Sequence, residues 1–147
     1  MNQVIYLGAR DWLGPNWETG LYPADLPEDW RLAYFSSQFN CVWLEAEHWR
    51  SVTGPEFMKW CEDVHSRFLF LLAADPGASL PAELAGRARL IGGDDVRLRW
   101  FDKDTDLAVL ARELQAAGAP QEMFLISRDG DLGQIERVRT LLELLGC

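Results

Sequence analysis

The feature that most constrains the fold is the alternation of short apolar runs with longer amphipathic stretches. An apolar run such as Phe68–Ala74 is typical of a strand that is covered on both faces. The stretches between the runs carry apolar residues at helical spacing, and such alternation is typical of a parallel sheet flanked by helices. The sequence predicts five strands: Val4–Leu7, Cys41–Ala46, Phe68–Ala74, Val96–Phe101 and Met123–Ile126.

The predicted helices begin at recognisable capping residues. Thr53, with Glu56 three residues later, forms a capping-box pattern, and Asp104 and Asp131 precede two further helical stretches. The segment Ser127–Gly133 follows a strand and carries glycines and carboxylates, a pattern that favours a capping turn over a nucleotide or metal loop. The helix between the first two strands is predicted to bury a stripe made of Trp30, Ala33, Tyr34 and Ser37.

The length of 147 residues is that of a single domain, so residues 1–147 are expected to form one α/β unit. The predicted sheet has about five mostly parallel strands with flanking helices. It is either a partial TIM-barrel-like sheet or an open flavodoxin-like sheet. In both arrangements ligands meet the loops at the carboxyl ends of the strands, so a site is expected after the first two strands.

The charge of the chain excludes some classes of partner. A net charge of −9 works against binding the phosphate backbone of nucleic acids, so no nucleic-acid role is predicted. One arginine-dense segment is interrupted by acids and is typical of the solvated faces of strands. It contains Arg87, Arg89, Arg97 and Arg99, with Asp94 and Asp95 between the pairs. Its first part, Arg87–Ile91, is either one arm of a hairpin or a loop.

The cellular setting is predicted from what the sequence lacks. It has no secretory signal, and no apolar run approaches the roughly 20 residues that span a bilayer, so no membrane association is predicted. The three cysteines, Cys41, Cys61 and Cys147, form no CxxC pair, which favours a reduced, cytoplasmic protein. With two histidines and no paired cysteines, neither a metal nor a cofactor is predicted.

The opening segment carries a dense pattern of aromatic, proline and glycine residues: Gly8, Trp12, Pro15, Trp17, Leu21, Tyr22, Pro23, Trp30, Tyr34, Phe39, Asn40, Val42 and Arg50. Through these residues the segment Val4–Arg50 resembles the YecE-like family, also called domain of unknown function 72. Members open with a strand, a Gly-Thr-Ser-Gly-Trp type of loop, and an aromatic-Tyr-Pro sequence. The family implies a closed (β/α) barrel of about 250 residues. This shorter chain is therefore expected to form an open sheet or to pair two half-barrels in a homodimer.

The polar positions of the presumed family pocket differ in this chain. Ala9-Arg10-Asp11 replaces the family's Thr-Ser-Gly, and Trp43 and Glu45 replace a strand carboxylate and an amide. The residues His48-Trp49-Arg50 stand where the family has an aromatic pair and an arginine, and Ala73 replaces a lysine. These changes favour binding or interaction over catalysis.

The resulting hypothesis is a cleft that binds a polar small molecule or a protein partner. Its predicted residues are Arg10, Asp11, Trp12, Trp17, Glu45, His48, Trp49 and Arg50. The alternative is a small hydrolase in which His48 is a general base oriented by Glu45, or simply a Glu45–Arg50 ion pair beside a surface histidine. Trp12, Trp17 and Trp49 either stack on a ligand or plug the end of the sheet, whereas Trp30, Trp60 and Trp100 are predicted to be core residues.

Overall fold

A computed structural model describes residues 3–146, which form a parallel sheet flanked by helices. The α/β class is confirmed, with six strands where about five were predicted. The additional strand is part of the undecided segment 87–91, which forms neither a hairpin arm nor a loop. The strands are β1 (Val4–Arg10), β2 (Cys41–Leu44), β3 (Leu69–Ala73), β4 (Ala88–Ile91), β5 (Leu98–Phe101) and β6 (Glu122–Ser127).

The strands follow one another around an arc in the order β4-β3-β2-β1-β6-β5, and every neighbouring pair is parallel. The first strand lies beside the last, with Val4 opposite Glu122. This is the cyclic order of a barrel that is open between β4 and β5. The sheet is strongly curled, because Trp43 on β2 and Trp100 on β5 are 5.2 Å apart although two strands separate them. The fold is thus a half-barrel, the first of the two predicted arrangements.

Both faces of the curled sheet are packed. The outer face and the helices share the larger core, which includes Leu7, Phe35, Phe70 and Leu125. The inner face has its own apolar cluster, so the interior of the half-barrel is filled by side chains. The inner cluster consists of Cys41, Trp43, Leu69, Leu71, Ala73, Ile91, Leu98, Phe124 and Ile126.

Within residues 3–146, six α-helices surround the sheet: α1 (Pro15–Gly20), α2 (Arg31–Gln38), α3 (Ala46–Trp49), α4 (Gly54–Asp63), α5 (Leu107–Gln115) and α6 (Leu132–Leu144). The predicted capping box of Thr53 and Glu56 begins α4. Asp131 caps α6 by accepting from the Gln134 amide at 2.8 Å, as the predicted capping turn requires. The predicted cap Asp104 is wrong, because α5 is capped by Asp106.

The predicted inner stripe of α2 is also wrong. Trp30 is 64% exposed, and the helix buries Leu32, Phe35 and Ser36 instead. Trp30 ends a separate 3₁₀ turn, Glu28–Trp30, so its side chain does not share the angular register of the helix that follows. Trp60 is buried as predicted, and Trp100 is half-buried on the inner face.

The strand predicted at Val96–Phe101 is shorter than expected. Val96 is 67% exposed, and β5 begins at Leu98, two residues later than predicted.

Cys41 is a buried free thiol and Cys61 is a half-buried one; Cys147 lies outside the described residues. None of the helices within residues 3–146 has the length and apolarity needed to cross a membrane.

Candidate functional site

A cleft of about 320 Å³ opens at the carboxyl ends of β2, β1 and β6. Its walls are the ends of β1 and β2, the start of α1, one side chain of α3 and the turn that follows β6. The lining residues are Arg10, Asp11, Leu13, Gly14, Pro15, Asn16, Trp17, Trp43, Glu45, His48, Ser127, Arg128, Asp129 and Gly130. The loop after strand one and the residues after strand two therefore face the same space.

Arg10, Trp43 and Glu45 form one side of the cleft. Arg10 and Trp43 are register partners on β1 and β2, so their side chains leave the same face of the sheet. Both donate to the same carboxylate oxygen, Glu45 Oε1, at 3.0 Å from Arg10 Nη2 and 3.0 Å from Trp43 Nε1. The predicted pairing of Glu45 with Arg50 is wrong, because Arg50 forms its ion pair with Asp75, away from this cleft.

Asp11 fixes the loop that follows β1. Its φ is 61°, in the left-handed region where aspartate is among the few residues tolerated. Its Oδ1 accepts hydrogen bonds from the amides of Trp12 at 2.7 Å and Leu13 at 3.3 Å. Its own amide donates to the carbonyl of Trp43 at 3.0 Å. Asp11 stands where the family's loop has its last glycine, and aspartate can replace it because aspartate tolerates a left-handed backbone.

His48 faces Asp11 across the cleft. Its Nδ1 lies 3.2 Å from Asp11 Oδ2, and both side chains are about one-third exposed. The hydrogen bond that His48 donates to Asp11 raises the pKa of His48, partial burial opposes that rise, and the charges of Asp11 and Glu56 add to it. The carboxylate that orients the imidazole is thus Asp11, in place of the Glu45 expected from the sequence.

The three predicted loop tryptophans are buried. Trp12 makes an edge contact with Trp60 at 5.0 Å, and Trp17 packs against Phe35 and Phe39. Trp49 donates its Nε1–H to the carbonyl of Ala73 at 3.0 Å. Of the two predicted roles, the packing is that of a plug at the end of the sheet, although one edge of Trp17 also lines the cleft.

Some lining residues were missing from the predicted site. Arg128 lies over the ring of Trp100 at 5.1 Å, and Asn16 donates to the carbonyl of Asp129 at 2.7 Å. For Arg128 the signal was present in the segment Ser127–Gly133, but the position of that segment beside β1 depends on a strand pairing more than 100 residues apart in sequence. Within residues 3–146 no group of three His, Cys, Asp or Glu side chains is arranged to hold a metal ion.

Comparison with known proteins gives one result. A family model described as "Protein of unknown function DUF72" matches residues 6–90, which is more than half of the chain and runs from β1 into β4. The matched part includes Arg10, Asp11, Glu45 and His48, whereas Arg128 lies outside it. No curated protein matches the chain, and no solved structure does.

Proposed function

The chain belongs to the DUF72 family, and from this premise we propose that its carboxyl-edge cleft binds a small polar molecule without transforming it. The observation that carries the proposal is the presence of two ionisable pairs, Arg10–Glu45 and Asp11–His48, on the walls of one cleft. The ligand is held by hydrogen bonds and charge, and the buried tryptophans give the walls their rigidity.

The position and size of the cleft support this role. Ligands of parallel α/β folds meet the carboxyl ends of the strands, and this cleft lies at three neighbouring ones. A volume of about 320 Å³ is at the lower end of the range for small-molecule sites. The expected ligand is therefore of the size of an amino acid or a small sugar.

The chemistry of the walls supports a ligand that has both donors and acceptors. Arg10 and Arg128 offer donors, Asp11 and Glu45 offer acceptors, and the raised pKa of His48 makes it a donor at slightly acidic pH. The positions that depart from the resembling family pattern also meet in pairs, Arg10 with Glu45 and Asp11 with His48. Because the substituted residues contact each other in pairs, they support a pocket that still binds a ligand through different polar groups over a pocket that has lost its binding function.

A second candidate function is hydrolysis of a polar metabolite. It is favoured by the orientation of His48, whose Nδ1 is held by Asp11. A neutral imidazole held in this way accepts a proton at Nε2 from a water molecule that attacks an electrophilic centre. In this candidate Asp11 is a positioning residue, and Glu45 binds the substrate.

The experiment is a thermal-shift and calorimetric screen of small polar metabolites, followed by three variants. Glu45→Gln and His48→Gln are expected to weaken any ligand of the cleft. Glu47→Gln is the matched control, because Glu47 is exposed on α3 and does not line the cleft. A ligand that binds all three variants as tightly as the wild-type protein contradicts the proposal. Turnover that is lost in His48→Gln establishes the hydrolase instead.

The cytoplasmic location predicted from the sequence is also proposed for this protein. It is supported by the free thiols of Cys41 and Cys61. Cell fractionation of the natural host tests it, and recovery of the protein in an oxidising compartment contradicts it.

A further inference from the structure

A larger cavity, of about 850 Å³, lies at the opposite end of the half-barrel. It is formed where the chain enters β1, β2, β3 and β4, together with the end of α2 and one face of α6. Its polar lining includes hydroxyls and amides from Ser36 to Gln38, Asn40 and Ser66. Its apolar lining includes Val4, Leu69 and Leu142.

The charge of this cavity is opposite to that of the chain. Three arginines, Arg67, Arg89 and Arg139, line it together with His65, against one carboxylate, Glu143. These lining residues leave two positive charges in a protein of net charge −9. Arg87 lies just behind the wall, where its guanidinium donates to the carbonyl of His65 at 3.2 Å. Arginines from four separate positions of the chain thus converge on one end of the molecule.

The arginines differ in how far the protein neutralises them. Arg89 is 3.2 Å from Glu122, and Arg139 pairs with Glu136 on its own helix. Within residues 3–146, neither Arg67 nor Arg87 has a carboxylate within ion-pair distance. Arg67 is exposed at the mouth of the cavity, so its guanidinium is available to a ligand.

Tyr6 adds a hydrogen-bond donor to the wall of the cavity. Tyr6 lies on β1 and contacts Phe124, with the ring centroids 5.4 Å apart. Burial and then the nearby Glu122 carboxylate raise the pKa of Tyr6, and the charges of Arg89 and Arg67 oppose that rise. The phenol is therefore a neutral hydrogen-bond donor beside two guanidinium groups, which suits an anionic oxygen.

We propose that this cavity binds a small organic phosphate, with the phosphate near Arg67 and Arg89 and an apolar portion against Leu69 and Leu142. Arg67 and Arg87 are the two guanidinium groups at this end that have no carboxylate partner within residues 3–146. Together they favour a doubly charged group over a single carboxylate, and guanidinium groups bind phosphate in bidentate geometry. The site is separate from the carboxyl-edge cleft, so the proposal does not depend on the function of that cleft.

The test uses three ring compounds of similar size: phenyl phosphate, benzoate and benzyl alcohol. Titration of ¹⁵N-labelled protein followed by amide NMR gives both affinity and location. Phenyl phosphate is expected to bind most tightly and benzyl alcohol least. Phenyl phosphate is expected to shift the amide signals of Asn40, Ser66 and their neighbours. Arg67→Gln is expected to weaken phenyl phosphate about tenfold, the effect of one lost charge-assisted contact.

The matched control is Arg112→Gln, which removes the same charge from the exposed side of α5. An unchanged affinity in Arg112→Gln together with the loss in Arg67→Gln supports the site. Equal losses in both variants show a response to net charge alone and overturn it. Equal affinities for phenyl phosphate and benzyl alcohol also overturn it, as do amide shifts confined to the carboxyl-edge residues Ser127–Gly130.

Discussion

Asp11 Oδ2 lies 3.2 Å from His48 Nδ1, and this pair joins the loop after β1 to the short helix α3 across the mouth of the cleft. Through Oδ1 the same carboxylate also accepts hydrogen bonds from two amides of its own loop. Asp11 therefore sets both the loop geometry and the protonation of His48, and the two roles can be separated by substitution.

Asp11→Asn is expected to keep the loop and to lower the pKa of His48 towards about 6.5, the value for an unperturbed histidine. Asparagine tolerates the positive φ and its amide oxygen still accepts from Trp12, but the negative charge beside the imidazole is lost. Ring-proton NMR titration measures the pKa, with His65, the other histidine, as an internal control. An unchanged His48 pKa in the variant contradicts the assigned cause.

His48→Gln is expected to destabilise the protein by about 0.2–1 kcal/mol at acidic pH, as exposed ion pairs do. Since the folded-state pKa of His48 is raised, its contribution is complete below the unfolded value of about 6.5. The contribution disappears as the pH rises through the folded value. Urea unfolding of both proteins between pH 5 and about 8 measures the difference. A difference that is constant with pH indicates packing and not charge.

Gly8→Ala is expected to destabilise the protein by about 1–3 kcal/mol or more, as overpacking of a core does. A β-carbon at Gly8 would lie 2.6 Å from Cys41 Sγ and closer still to the Cys41 carbonyl oxygen on the neighbouring strand. Gly93→Ala is the matched control, because nothing lies within 4 Å of the corresponding position. Equal melting temperatures for the two variants would show that β1 and β2 can separate at no cost.

Trp49→Phe is expected to cost about 1–3 kcal/mol of stability by leaving the Ala73 carbonyl without its donor. Because Trp49 is buried and does not line the cleft, ligand affinity measured below the melting temperature is expected to stay unchanged. Calorimetric titration of a ligand identified in the screen tests this. Weaker binding with unchanged stability would restore Trp49 to the ligand-contacting set predicted from the sequence.

The native mass is expected to be that of a 16.7 kDa monomer. The inner face is already filled by its own side chains, and Arg89 of β4 and Arg97, which precedes β5, both approach Glu122. Side chains from the two open edges thus meet at Glu122 within one chain. Light scattering after size exclusion measures the mass. Twice this mass would support the homodimer of half-barrels, in which β4 and β5 pair with a second copy.

The sequence predicts best where a single physical cause dominates. The apolar run Phe68–Ala74 contains β3, and the capping box at Thr53 is found as expected, because both depend on local composition. The strand β4 was undecided because its inward Arg89 interrupts the apolar pattern, and the ion pair with Glu122 that accommodates it cannot be read from neighbours in sequence. Trp30 was misplaced because a 3₁₀ turn shifts the helical register.

In the carboxyl-edge cleft, too, the features that depend on local sequence were predicted and those that depend on distant contacts were not. The resemblance to the family and the rule for strand ends indicate which two loops to compare, and both line the cleft. The partners within it were misassigned, because they depend on the left-handed conformation of Asp11 and on the register of Arg10 with Trp43. Arg128 was missed because it joins the cleft only through the pairing of β6 with β1.

The adjacency of the first and last strands has a consequence for how the chain is made. On the ribosome, β1 emerges first but obtains its second neighbour only after residues 122–127 have been synthesised. Until then the edge of a strand rich in buried residues stays open, in the kind of intermediate that chaperones protect. A chain that is cut short before β6 lacks the partner that closes this edge, so we expect such a truncated chain to aggregate more readily than the full sequence.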